Sequence, residues 1–186
     1  MRLRISGFTL MELIITILVM TILLGIGVPS YLKFKEDNLL QGAAQSLHAD
    51  IQFARSEAIK RSSDVTVYFF RDAGDNTKWC YRISDNAACQ TACSYTCDST
   101  CNASCDIHGD GIARGGSHQD FPKVSLSDMT YTDDKIEFSG QRGTADEGHV
   151  HFSYGDKVIN VETNMLGRTL MCTPSGQSGV MGVGSC

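Results

Sequence analysis

The chain has 186 residues, a formal net charge of −5 and 42% hydrophobic residues, with a sequence pI of about 5.4. That length holds one domain plus an anchoring element. The acidic balance removes any general electrostatic reason for the surface to bind nucleic acid.

The apolar residues are unevenly spread, and the first predicted element takes a large share of them. From Phe8 to Val28 there is no Lys, Arg or Asp, and a single acid, Glu12. As a helix this run is roughly 30 Å long, the thickness of a bilayer's hydrocarbon core. Arg2 and Arg4 precede it and should stay cytoplasmic, which puts the rest of the chain on the far side. A cleaved secretory signal fits poorly, because its apolar region should be shorter and end at a small-residue site. Val28-Pro29-Ser30-Tyr31 is no such site. A plain anchor explains the length but leaves Glu12 as a cost of about 2.5–3.5 kcal/mol. A third reading uses the acid. If the chain is cut between Gly7 and Phe8, the new amine lies one helical turn before Glu12. The Glu12 of one subunit then neutralises the Phe8 amine of its neighbour, and a paired charge is tolerable where a lone one is not.

Ile5-Ser6-Gly7-Phe8-Thr9-Leu10-Met11-Glu12-Leu13 resembles the class III signal of type IV prepilins and type II secretion pseudopilins. The resemblance implies cleavage after Gly7 by a prepilin peptidase and N-methylation of Phe8. It also implies assembly with other pilin or pseudopilin subunits through the helix. Gly25, Gly27 and Pro29 weaken the helix. They mark the end of the span and, by the resemblance, a stretch able to melt on packing into a filament.

Beyond Pro29, Leu40, Ala44, Leu47, Ile51, Ala54 and Ala58 recur three to four apart, an inward helical stripe. Gln41, Gln45, Asp50, Gln52, Arg55, Glu57 and Lys60 mostly occupy other faces. His48 sits at the boundary of the stripe. Ser62-Ser63-Asp64 ends the pattern, so one long, bent helix runs from about Phe8 to Arg61. Its first half, residues 8–28, is the transmembrane and assembly segment. Its second half packs on a globular domain. Phe53-Ala54-Arg55-Ser56-Glu57-Ala58-Ile59-Lys60-Arg61, followed by Val65-Thr66-Val67, resembles FimT/GspH-type minor pilins and pseudopilins. Trp79-Cys80 and Leu166-Gly167-Arg168 fit the same pattern.

Strand signals follow. They lie at Val65–Phe70, Trp79–Ile83, Lys135–Phe138, His149–Tyr154, Lys157–Val161 and Arg168–Cys172. Gly155-Asp156 closes a hairpin between the fourth and fifth. The expected fold is α+β and pilin-like, a long N-terminal helix on an antiparallel sheet. Residues 1–7 form the leader, 8–61 the helix and 62–186 the domain, with a disulfide-rich insertion over 84–118.

That insertion carries Cys89, Cys93, Cys97, Cys101 and Cys105, spaced four apart. Thiolates also bind zinc. The usual CxxC pair is missing, however, and the topology puts the segment outside the cytoplasm, where disulfides form. Five cysteines cannot pair among themselves, so the cluster must reach Cys80, Cys172 or Cys186. Cys172 and Cys186 bracket a Gly/Ser-rich tail and make the natural pair, which leaves Cys80 to join the cluster. The insertion then serves as a stapled surface loop or as a contact surface for a partner.

Weaker signals remain. Asp106-Ile107-His108-Gly109-Asp110-Gly111 resembles the start of a calcium loop but lacks the acid at its twelfth position. His149 and His151 share a strand face and would need His108 or His118 to complete a metal site. Exposed strand histidines are the plainer reading, and no metal or cofactor is expected. Some FimT-type pilins bind DNA through Gly-Arg-x-Arg. Here Gly167-Arg168-Thr169-Leu170 keeps one arginine, so DNA binding is not expected. No phosphate-cradling loop or nucleophile motif points to an enzyme.

The expected function is a FimT-like minor pilin that assembles into or primes a type IV pilus. The alternatives are a GspH-like pseudopilin of type II secretion and a membrane-anchored periplasmic binding module using the cysteine loop. The expected location is the inner membrane, single-pass, with the domain in the periplasm.

Overall fold

The structure, a computed structural model, describes residues 9–186. Gly7 and Phe8, the expected processing residues, lie outside them. The chain divides after Glu36 into two units, which the first helix, α1 (Leu10–Arg61), spans.

Among the described residues of the first unit, α1 is the one element. Thr9 caps it, its Oγ1 accepting a hydrogen bond from the Glu12 N–H at 3.3 Å. Thr9-x-x-Glu12 has the spacing of a capping box, with an acid in the first turn where the helix dipole favours it. Thr16 and Thr21 turn their hydroxyls onto the Leu13 and Leu18 carbonyls, both at 2.8 Å. These bonds satisfy both groups without water, as a bilayer requires. Pro29 sits inside the helix, which continues past it.

The second unit holds the rest of α1, two four-stranded antiparallel sheets and the disulfides. Leu40, Ala43, Ala44, Leu47, Ile51, Ala54 and Ala58 of α1 are buried in its core. Two polar residues expected on other faces are drawn in: Glu57 is buried, and Asp50 is hydrogen-bonded by Tyr81 at 2.8 Å. Burial raises the Asp50 carboxyl pKa above its ordinary value, against the Tyr81 bond and the charges of Arg114 and Arg82. The helix ends with Ser62 in the left-handed region and the Ser63 N–H on the Ala58 carbonyl, a closure that satisfies the last turn.

One sheet, sheet A, contains β1 (Val65–Arg71), β2 (Trp79–Ser84), β3 (Gly115–Ser117) and β5 (Lys135–Phe138) in the order β3-β2-β1-β5. The other, sheet B, contains β4 (Ser125–Met129), β6 (Gly148–Tyr154), β7 (Lys157–Thr163) and β8 (Thr169–Cys172) in the order β4-β6-β7-β8. The β6–β7 hairpin turns at Gly155-Asp156, with Tyr154 opposite Lys157. Trp79 lies between the sheets. It is fully buried, 5.0 Å from the Phe152 ring, and its Nε1–H donates to the Val124 carbonyl at 2.8 Å.

The expected antiparallel strands form two sheets, and β3 and β4, which escape sequence reading, each add an edge strand to one of them. Gly115 and Gly116 have no strand propensity. They are glycines because a Cβ there would meet the Tyr81 carbonyl at 2.0 Å and the Tyr81 ring at 2.9 Å. The insertion expected over 84–118 takes in the last residue of β2 and the whole of β3. Ser84 belongs to β2 and Gly115–Ser117 to β3, so the excursion itself covers 85–114.

Candidate functional site

The sequence points to two functional regions, the apolar helix and the cysteine insertion. On α1, the large apolar side chains from Leu10 to Phe34 are all about half exposed or more, from Val19 at 47% to Leu10 at 77%. This is the one helix among the described residues long and apolar enough to cross a membrane. Glu12 is exposed on it, one acid in an uncovered apolar surface. Gly25 and Gly27 have open space where a Cβ would stand. Among the described residues no close approach explains either glycine.

Three disulfides build the insertion, Cys80–Cys97, Cys89–Cys105 and Cys93–Cys101, and a fourth, Cys172–Cys186, closes the tail. The tail pair and the tie from Cys80 follow the arrangement that parity pointed to. Two short helices, α2 (Ala88–Ala92) and α3 (Ser99–Ser104), carry the cluster. The Cys89–Cys105 and Cys93–Cys101 bridges lie against each other, with Cys93 Sγ 3.0 Å from Cys105 Sγ. All eight sulfurs are committed to disulfides, so the Cys89, Cys93 and Cys105 grouping offers no thiolate to a metal.

The insertion does more than staple a loop. Its buried cysteines pack with Tyr68 and Phe70 in a second, smaller core, while Val65, Val67 and Phe69 of the same strand face the main core. Strand β1 is thus covered on both faces, which is why its sequence runs apolar without alternation.

Arg61 ties this cover to α1. It pairs with buried Glu57 at 2.9 Å, donates to the Ile107 carbonyl at 2.6 Å and contacts His108 Nδ1 at 2.9 Å. Burial pushes the Glu57 carboxyl up, but the hydrogen bonds from Lys60 and Arg61 outweigh it and hold the group below its ordinary value. The calcium-like stretch is an Asp-organised turn. Both Asp106 carboxylate oxygens accept backbone N–H bonds, from His108 and Gly109 on one side and Gly111 on the other.

Gly167-Arg168 plays two parts. Gly167 has φ +69°, and a Cβ on it would meet the Gly143 carbonyl at 2.6 Å and Arg55 Nε at 2.9 Å. Arg55 in turn donates to that carbonyl at 3.2 Å. The glycine is therefore fixed by packing against the end of α1. Arg168 lines a groove of about 380 Å³ together with Glu147 and Glu162, acids that oppose a phosphate ligand.

His108 and His118 do not join His149 and His151. His108 lies beside Arg61, and His118 against the Trp79 carbonyl at 3.1 Å. His149 and His151 stack at 4.5 Å with Asp128 as their neighbour instead. A hydrogen bond from His149 holds the Asp128 carboxyl below its ordinary value.

The sequence model of the family described as Type II transport protein GspH matches residues 43–167. Among solved structures, the chain is similar to the type IV minor pilin FimU of Pseudomonas aeruginosa strain PAO1 in space group P21. Identity is 20% and the TM-score 0.50, over 74% of this chain and 91% of that one. A second FimU crystal form, in P65, gives 18% identity and a TM-score of 0.46, over 70% of this chain and 90% of that one. No curated protein matches the chain.

Proposed function

This chain belongs to the GspH family, a family of minor pilins and pseudopilins, and we propose that it is a minor pilin of a type IV pilus. In this reading it is cut after Gly7, methylated at Phe8, and anchored in the inner membrane with its domain in the periplasm. It then enters the filament through α1. One observation carries the reading: a helix whose apolar residues from Leu10 to Phe34 are uncovered and whose early turns hold one acid, Glu12. Burying each such side chain against lipid or neighbouring helices contributes about 1.5–3 kcal/mol, so helix burial supplies the affinity. Glu12, paired with the Phe8 amine of a neighbour, supplies the register. Pro29 and the glycines before it supply the stretch that opens on packing.

The test is mass spectrometry of filaments sheared from the native cell. The expected result is an N-terminal peptide beginning at methylated Phe8. A processed chain found only in membranes, and needed for secretion, would instead make it a type II pseudopilin. An uncut chain starting at Met1 would overturn both and leave an anchored periplasmic module.

A further inference from the structure

The outer face of sheet B holds a constellation that filament assembly does not use. Along β6, Val150 and Phe152 point into the core, which leaves His149 and His151 on the opposite face. Across from them, β4 pairs Leu126 with Phe152 and Met129 with Val150, and both of these β4 residues are buried. Three steps along β4 therefore match two along β6. The extra residue is a β-bulge, and Ser127 and Asp128 both lie exposed opposite His151. In an unbulged strand Asp128 would fall opposite Val150, on the core side. The bulge turns it outward, beside both histidines, which is a recurrent use of such irregularities.

The three side chains converge. Asp128 Oδ2 is 3.3 Å from His149 Nε2 and 3.8 Å from His151 Nδ1. One ligand atom from each of the three lies within 4.8 Å of the others. Around a tetrahedral zinc-type ion with bonds of about 2.0–2.1 Å, neighbouring ligand atoms stand roughly 3.3–3.4 Å apart. Small side-chain rotations therefore close the set.

Two of the three are also held from behind. Asp128 Oδ1 accepts the Met129 N–H at 2.9 Å, which leaves Oδ2 turned to the histidines. His149 Nδ1 is 3.3 Å from Thr130 Oγ1, which itself accepts the His149 N–H at 2.9 Å. For an ion to enter, the His149 Nε2–H bond to Asp128 gives way, and with its proton on Nδ1, beside Thr130, His149 presents the Nε2 lone pair to the ion. This is the outer support that metal-ligating histidines ordinarily have. The side chains are 57%, 31% and 23% exposed for Asp128, His149 and His151, so an ion reaches them from solvent.

We propose that Asp128, His149 and His151 bind a zinc-type divalent cation on the outer face of sheet B. Two imidazoles and one carboxylate select zinc, nickel, cobalt or copper over calcium and magnesium. Three protein ligands leave a fourth position open to water or to a donor from a neighbouring molecule.

An ordinary His–Asp hydrogen bond uses the same atoms, and binding separates the two readings. Zn²⁺ is titrated calorimetrically into the detergent-solubilised full chain with its disulfides intact. One ion per chain is expected. Asp128→Asn, His149→Gln and His151→Gln should each weaken binding at least tenfold, and Thr130→Val about tenfold through the lost support. His108→Gln and His118→Gln should leave it unchanged. Circular dichroism and a thiol count check that each variant is folded and oxidised. Co²⁺ loading adds an independent readout, with the visible bands of a four-coordinate nitrogen and oxygen site and no thiolate charge-transfer band. Absence of saturable Zn²⁺ uptake by the unmodified chain overturns the proposal. Undiminished affinity in a folded Asp128→Asn, His149→Gln, His151→Gln triple variant overturns it equally.

Discussion

Gly167 shows how a single residue carries a long-range constraint. Its positive φ alone makes any side chain cost about 1–3 kcal/mol, and the Gly143 carbonyl and Arg55 leave no room for one. Gly176 has φ +82° with open space around it, so it isolates the backbone part of that cost. Chemical denaturation should show Gly167→Ala losing more stability than Gly176→Ala. Equal losses would mean that the contact with the end of α1 is unimportant. Glu57 makes a second case at this scale. Its folded pKa lies below the ordinary 4.5 because the Lys60 and Arg61 hydrogen bonds outweigh burial. The stabilisation is then full above the unfolded value and is lost as pH falls through the folded one. The stability gap between the unmodified chain and Glu57→Gln should be present at neutral pH and close in acid. A gap independent of pH would count against the charge.

Among the elements, the disulfide insertion has the least predictable role. Its spacing of four admits a stapled loop or a zinc cluster, and the structure staples it. Two short helices fold the bridges over Tyr68 and Phe70, so an excursion without a core of its own borrows one from the back of β1. Cys80–Cys97 fastens that cover directly to β2, across a separation of 17 residues. Replacing both cysteines by serine should cost about 3 kcal/mol by the loop-closure relation. It should also open residues 85–114 to limited proteolysis while leaving sheet B protected. Unchanged cleavage would show that the packing of Tyr68 and Phe70 holds the cover by itself.

At the scale of the whole molecule, one chain carries two differently finished surfaces. The domain from Asp37 onward buries its apolar side chains in a shared core, whereas the helix before it leaves them open. An open apolar helix needs lipid or other helices, and Glu12 distinguishes the two. Replacing Glu12 by Val removes a charge that costs free energy in lipid and that, in the proposed assembly, supplies register in a filament. The variant should insert into the membrane as well as the unmodified chain or better, yet disappear from sheared filaments on immunoblotting. Normal incorporation of Glu12→Val would remove the register role.

Local patterning in the sequence by itself determined α1, its apolar first half, three of the four strands of each sheet and the hairpin at Gly155-Asp156. Apolar spacing of two or of three to four residues is imposed by the chain's own geometry, so it is visible without a partner. Thr9-x-x-Glu12 was equally visible as a cap but was overshadowed by the larger meaning of the acid. Only the tertiary structure decided the rest. β3 is a strand because it pairs with Cys80–Arg82 of β2, beside a Tyr81 that admits nothing larger than glycine. β4 is a strand, and Asp128 faces outward, because a bulge reconciles it with β6. Asp128 with His149, Arg55 with Gly143, and Arg61 with the Ile107 carbonyl lie too far apart in sequence for any local period to record. Their meetings depend on which faces pack together, and that was settled by burying α1 and two sheets around Trp79.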